Sequence, residues 1–250
     1  STPSSVDLRS LLSPMLVSDG THMASVLARA PRVIVIGDVH GCIDELQSLL
    51  RLADFQPGDQ VVLLGDLVAK GPDSVGVVQM ARDIGARTVR GNHDHEVIRG
   101  CEAAYKGYRH AMISLEHSRI ANALGPEDYA WLIESPWFIV SPDTMHLFVH
   151  AGFILGVKLT QQNPRLMMNM RSVLSDGTVT AKNVPDCEWA KLWRGPQTVV
   201  FGHDAHRGLQ QHEFAKGIDT GCVYGGRLTA LLLPENRFIS VAAKRCYIRE

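Results

Sequence analysis

The chain has 250 residues, 45% of them hydrophobic, which is enough for one large domain with a substantial core. A formal net charge of −1 excludes a generally basic surface of the kind that grips nucleic acid through phosphates alone, so any anion site has to be local. The five cysteines, Cys42, Cys101, Cys187, Cys222 and Cys246, are odd in number and form no C-x-x-C pair, which argues against a disulfide framework or a zinc ribbon and for a reducing cytoplasm.

Residues 1–30 are rich in serine and interrupted by Pro3, Pro14 and Gly20, and read as a loosely organised extension. No apolar run approaches the ~20 residues that span a bilayer, and the start lacks the basic and apolar regions of a signal peptide, so a soluble cytoplasmic protein with no membrane partner is expected. Residues 31–250 read as one domain. It opens with 'RVIVIGDVHGC' (32–42), an apolar, β-branched run that ends in Asp38 and His40.

That pattern returns in 'VVLLGD' (61–66), 'RTVRGNHD' (87–94), 'HLFVHAG' (146–152) and 'TVVFGHD' (198–204). Between the first copies, 'IDELQSLLRLA' (43–53) and 'PDSVGVVQMARDIG' (72–85) carry apolar residues at helical spacing. The alternation predicts an α/β fold of strand–helix–strand units, with polar residues from several strands meeting at the strands' carboxyl ends. A single Asp, Asn or His there reads as well as a turn residue or helix cap. Five copies, with glycines at or near the polar residues, point to a site, because a strand that turns sharply beside a metal often needs positive φ or close backbone approach.

Residues 95–140 are helix-biased, with Pro126 and Pro136 as stops, and read as a helical insertion beside the site. Tyr105, Tyr108, Trp131 or Trp137 could stack on a base, and Lys106 and Arg109 could reach a polyphosphate; for Trp131, Leu132, Ile133, Trp137 and Phe138 the core reading is preferred. Residues 226–243 read as a hairpin turning at 'PEN'. Cys42 reads as a small buried thiol, and His22, His117 and His212 as surface or packing residues, since no motif surrounds them.

The strand-end groups are Asp38, His40, Asp66, Asn92, His93, Asp94, His150 and His203. This oxygen and nitrogen set without thiolate suits manganese, iron or zinc, and is too large for one catalytic ion with an open position. Two ions sharing a carboxylate account for it. Two divalent ions against two carboxylates and a bridging hydroxide leave about one positive charge, which would attract phosphate, so phosphoryl hydrolysis is the expected chemistry.

'GDVHG' (37–41), 'GDLVAKG' (65–71), 'GNHD' (91–94), 'HAG' (150–152) and 'FGH' (201–203) resemble the phosphoprotein-phosphatase superfamily of binuclear calcineurin-like metallophosphoesterases. With 'IDTGCVYGGRLTAL' (218–231), the chain looks most like bacterial-type symmetrical diadenosine tetraphosphatases and their eukaryotic relatives. The resemblance implies a β-sandwich flanked by helices with the active site at strand carboxyl ends. It implies Asp38 and His40 on a first metal, Asp66 as the bridge, and Asn92, His150 and His203 on a second. Manganese is the first choice, with iron, zinc, cobalt or magnesium as alternatives. It further implies His93 as proton donor or transition-state stabiliser, and Lys70, Arg171, Asn92 and Tyr224 on substrate phosphate.

Serine/threonine phosphatases of this superfamily usually carry an Asp and an Arg where Ala69 and Lys70 stand, and a Glu at Asp94. That Asp orients the motif histidine. Without it, His93 is expected to be a less well-positioned acid, with Asp94 as the candidate to replace the missing carboxylate, and general acid help is worth roughly 10²–10⁴ in rate. A serine alkoxide suffers most from that loss, and a nucleotide phosphate, whose last pKa is ~6, suffers less. The leading expectation is therefore hydrolysis of nucleoside polyphosphate anhydrides, diadenosine tetraphosphate to two ADP by resemblance. The alternatives are an mRNA cap or RNA 5′-end pyrophosphatase, a serine/threonine phosphatase, and a non-catalytic metal-binding module.

Overall fold

The computed structural model describes residues 23–107 and 113–248. Its first strands are β1 (Ala24–Val26), β2 (Val33–Ile36), β3 (Gln60–Leu63) and β4 (Arg87–Thr88). Then come β5 (Phe138–Ser141), β6 (His146–Val149), β7 (Ser172–Val173), β8 (Val179–Thr180) and β9 (Thr198–Phe201). The last are β10 (Gln210–Gln211), β11 (Ala215–Gly217), β12 (Arg227–Leu233) and β13 (Arg237–Ala242). The helices are α1 (Ile43–Leu52), α2 (Ser74–Asp83), α3 (Asn92–Lys106), α4 (Leu115–Ala123), α5 (Pro126–Ile133) and α6 (Pro164–Asn169).

Two sheets form a sandwich, one ordered β13-β12-β2-β3-β4 and the other β1-β5-β6-β9-β11-β10; β7 and β8 make a separate small ribbon. The apolar runs are continuous because both faces of the central strands are covered. In β2, Ile34 and Ile36 pack under α1 and α2, while Val33 and Val35 face Ile139, Phe148 and Val200 of the other sheet. Phe138, Val149 and Phe201 of that second sheet pack outward against Trp189 and Met167. The expected hairpin is β12–β13, turning through Pro234, Glu235 and Asn236.

Register sets where the site lies. β2, β3 and β4 run parallel with Ile36 opposite Leu63 and Leu63 opposite Thr88, so Asp38, Asp66 and Asn92 leave the sheet at the same edge. In the second sheet β6, β9 and β11 are parallel with Val149 opposite Phe201 and Phe201 opposite Gly217, which brings His150, His203 and Asp219 out together.

Two boundaries differ from expectation. Ala24–Val26 form a strand parallel to β5, and Leu27 enters the core between the sheets, so the last part of the supposed extension belongs to the fold. A three-residue strand is too short for its alternation to be legible. Residues 1–22, His22 among them, lie outside the described residues. The helical insertion is present as α3, α4 and α5, but α3 begins at Asn92, so its first turn carries site residues. Trp137 and Phe138 are core residues, and Tyr105 is 92% exposed. Tyr108 and Arg109 lie outside the described residues.

Glu45 in α1, beside the buried thiols of Cys42 and Cys222, accepts the Lys244 N–H and the Tyr247 hydroxyl, both at 2.8 Å, and so ties the C-terminal segment to α1. No helix among the described residues is long and apolar enough to cross a membrane.

Candidate active site

The loops at this edge are tight. Five of the nine non-glycine residues with left-handed φ among the described residues are His40, Asp66, Ala69, Lys70 and His203. Such backbone persists only where surroundings over-determine it, and it collects at functional sites. Some of the glycines serve a different need: at Gly202 a Cβ would strike the Asp38 carboxylate, and at Gly91 it would strike Asp66.

These loops assemble two groups of donor atoms. One donor from each of Asp38, His40 and Asp66 lies within 4.8 Å of the others, and the same holds for Asp66, His150 and His203. Asp66 is common to both. Its Oδ1 accepts the His93 backbone N–H at 2.9 Å, while its Oδ2 stands 3.5 Å from His40 Nε2 and 3.5 Å from His150 Nε2. Asn92 joins the second group through Oδ1, 3.0 Å from His150 Nε2. All six expected ligands are therefore brought together.

Each histidine is turned by its other nitrogen. His40 Nδ1 meets the Val68 carbonyl at 3.0 Å and His150 Nδ1 meets that of Leu64 at 2.7 Å, so both present Nε2 to the cleft. His203 Nε2 meets the Asn169 carbonyl at 3.2 Å, which leaves Nδ1. Asp38 is held by the His203 backbone N–H at 3.0 Å.

The same cleft is lined by Lys70, Arg171, Asp219 and Tyr224. Lys70 Nζ donates to the Tyr224 hydroxyl at 2.8 Å and its ammonium lies 5.2 Å from that ring's centre. Arg171 is pinned from behind, donating to the carbonyls of Ala181 (2.9 Å) and His203 (3.0 Å). Asp219 was not anticipated from sequence. It follows β11 as Asp38 follows β2, but Lys216 and Gly217 break the apolar run that would have marked it.

Asp94 corrects one expectation. It is fully buried, and its carboxylate accepts the Leu67 N–H at 2.9 Å and the Gly91 N–H at 3.1 Å, clamping two site loops together. It is not the partner of the His93 ring. That partner is His117, expected to be a surface or packing residue, whose Nε2 lies 2.9 Å from His93 Nδ1. The insertion delivers His117, and no local motif in the chain marks it.

Without cations the site is electrostatically crowded. Burial, and then repulsion from Asp219, raises the Asp38 carboxyl well above the usual range, and burial with help from Asp66 raises Asp219 to about 6. Burial opposes charge on Asp66 too, yet His150 and His93 outweigh it and hold that carboxyl well below the usual range. For His150 burial again works against the charge, but Asp66 and Asp38 raise it to about 10. Burial lowers His40 to about 3. Buried carboxylates pushed toward protonation, interleaved with imidazoles turned toward the cleft, form a donor set that fits divalent cations.

The calcineurin-like phosphoesterase family matches residues 31–236. The chain belongs to that family. As a calcineurin-like phosphoesterase it is an enzyme of phosphoryl hydrolysis, and the family implies divalent metal ions where the two donor groups lie. It is 28% identical over 247 residues to the asymmetrical bis(5′-nucleosyl)-tetraphosphatase PrpE of Oceanobacillus iheyensis, covering 88% of this chain and 95% of the relative. It is 29% identical over 272 residues to the symmetrical bis(5′-nucleosyl)-tetraphosphatase of Psychromonas ingrahamii, covering 84% of this chain and 96% of the relative. A solved structure described as a "putative diadenosine tetraphosphatase" superposes with a TM-score of 0.79 at 36% identity, covering 88% of this chain and 97% of the other.

Proposed function

We propose that this phosphoesterase hydrolyses phosphoanhydride bonds of nucleoside polyphosphates, with diadenosine tetraphosphate as the leading substrate and two ADP as products. The observation that carries the reading is Asp66 shared between two donor groups, with Lys70 and Arg171 lining the same cleft. Two ions, manganese first, would be held by Asp38, His40 and Asp66 on one side and by Asp66, Asn92, His150 and His203 on the other. When bound, such a pair supplies positive charge that polarises the phosphoryl group and lowers the pKa of a water.

The chain's own groups do the rest. Lys70 and Arg171 bind equatorial phosphate oxygens, and the Tyr224 hydroxyl holds the flexible Lys70 stem, which otherwise offers a point charge without fixed direction. Although burial opposes it, the Tyr224 hydrogen bond and the charges of Asp66 and Asp38 keep the Lys70 ammonium protonated. His93, fixed to Asp66 through its backbone, faces the leaving oxygen.

A polyphosphate chain suits the cleft better than a phosphoserine peptide. His117 orients His93 but brings no negative charge to stabilise an imidazolium, and burial lowers the pKa of His93 further. A neutral imidazole serves a leaving group that departs as an ionised phosphate, last pKa ~6, and serves an alkoxide poorly. The curated relatives are named for both symmetrical and asymmetrical cleavage, so the test resolves products. A manganese-supplemented assay compares diadenosine tetraphosphate, capped RNA and a phosphoserine peptide by chromatography. ADP from the dinucleotide with little phosphate from the peptide is expected. ATP and AMP would move the cut by one phosphate, and fast peptide turnover with intact nucleotides would overturn the reading.

A further inference from the structure

His117 lies in the first turn of α4, and nothing in the cleft itself calls for a histidine there. Ser114 is the N-cap of α4: its Oγ accepts the His117 backbone N–H at 3.2 Å and lies 2.5 Å from His117 Nδ1. With one lone pair on the cap N–H, the hydroxyl still has its own hydrogen to give, and turned toward the ring it donates to Nδ1. His117 then carries its hydrogen on Nε2 and donates it across 2.9 Å to His93 Nδ1. The two imidazoles lie edge to edge and nearly coplanar, with centroids 5.1 Å apart and planes at 21°, as a hydrogen bond between ring nitrogens requires. The preceding residue makes a second tie, since the Glu116 carboxylate accepts the Lys70 backbone N–H at 2.6 Å, in the loop that holds Lys70 in a left-handed conformation. The helix is held close to α3 by small residues, since a Cβ on Gly100 would come within 3.0 Å of the Ala121 Cβ.

We propose that His117 is a positioning residue for His93, which through the chain Ser114–His117–His93 fixes the ring with Nδ1 as acceptor and the Nε2 hydrogen aimed at the leaving oxygen. This rests on the placement of His93 at the leaving group made above. In the step it serves, a water oxygen bonds to phosphorus, the bond from phosphorus to the leaving phosphate oxygen breaks with its electron pair on that oxygen, and the water's proton passes to solvent. His93 keeps its hydrogen throughout and lends it to the charge that builds on the leaving oxygen. Donors aimed in advance at such charge need no reorganisation in the transition state. A carboxylate at the same place would instead accept a hydrogen from Nδ1 and favour the imidazolium. His117 thus does the orienting that Ala69 cannot, with the opposite hydrogen-bond direction.

The test compares His117→Ala, His117→Gln and His117→Glu, with Ile120→Ala on the same helix as a packing control. The ring nitrogens of His93, assigned with His93→Gln, are read by ¹⁵N spectroscopy in protein loaded with diamagnetic zinc. Wild type should show hydrogen on Nε2 alone. His117→Gln can donate its amide hydrogen to Nδ1 and should preserve that signature, with kcat for diadenosine tetraphosphate within about 5-fold. His117→Ala should mix the two tautomers and lower kcat by roughly 10–100-fold at little-changed KM, the usual scale for losing an orienting partner. His117→Glu, which can only accept at that place, should draw hydrogen onto Nδ1. Hydrogen on Nδ1 in the wild type, or equal losses in the Gln, Ala and Ile120→Ala variants, would overturn the proposal. If the wild type leaves diadenosine tetraphosphate intact but shows the Nε2 signature, the substrate assignment falls and the role of His117 stands.

Discussion

The backbone N–H of His93 donates to Oδ1 of Asp66 at 2.9 Å, so the carboxylate common to both donor groups and the residue proposed to face the leaving oxygen are tied together. The other oxygen of Asp66 lies equally far, 3.5 Å, from His40 and His150.

Asp66→Asn keeps an acceptor for His93 but places an amide N–H₂ where the shared oxygen stood. We expect metal content, measured by plasma mass spectrometry, to fall from about two ions per chain to less than one, and turnover to fall by more than about 100-fold, because even outer-shell partners are worth roughly 10–100-fold. Retained metal and activity would remove the binuclear assignment.

Metal uptake should release protons. The pKa of His150 is raised to about 10 against an ordinary 6.5, so metal-free protein at pH 7 holds a proton there that a ligating nitrogen must lose. In the metal-free chain this group contributes stability that is fully present below pH ~6.5 and is lost as pH rises through about 10. Calorimetric titration with manganese in buffers of different ionisation enthalpy should therefore show net proton release at pH 7, and affinity should strengthen with pH. No buffer dependence would contradict the charged state of His150.

Tyr224→Phe removes the hydroxyl that holds Lys70 without changing the ring. The loss of one partly exposed hydrogen bond to a charged group, about 1 kcal/mol, predicts a roughly 5-fold rise in KM with kcat nearly unchanged. Steady-state kinetics decides it, and an equal fall in kcat would mean that Tyr224 acts in the transition state.

Asp94→Ala should act on stability before chemistry. It strands the Leu67 and Gly91 N–H groups in a buried place, and each unsatisfied donor costs roughly 1–3 kcal/mol. Denaturant unfolding should show a loss of about 2–5 kcal/mol, with a smaller loss for Asp94→Asn, which retains one acceptor. Full stability with lost turnover would restore Asp94 as a catalytic group.

The local sequence carried the strands and most of the candidate ligands, because a doubly covered parallel strand needs an unbroken apolar run and the residue at its carboxyl end sits at a predictable edge. Asp38, His40, Asp66, His150 and His203 all stand just beyond such runs. Where the run is broken, as at Lys216 and Gly217, the strand-end carboxylate Asp219 went unseen, and a strand as short as Ala24–Val26 left no period to read. What only the tertiary structure decided is which group touches the ring of His93. Asp94 is adjacent in sequence, but the first turn of α3 points its carboxylate at two backbone amides. His117 is 24 residues away, and reaches the ring because the insertion folds α4 back against α3. Strand ends are placed by local periodicity and register, whereas a contact between two helices depends on how distant segments pack, and that information is spread over the whole core.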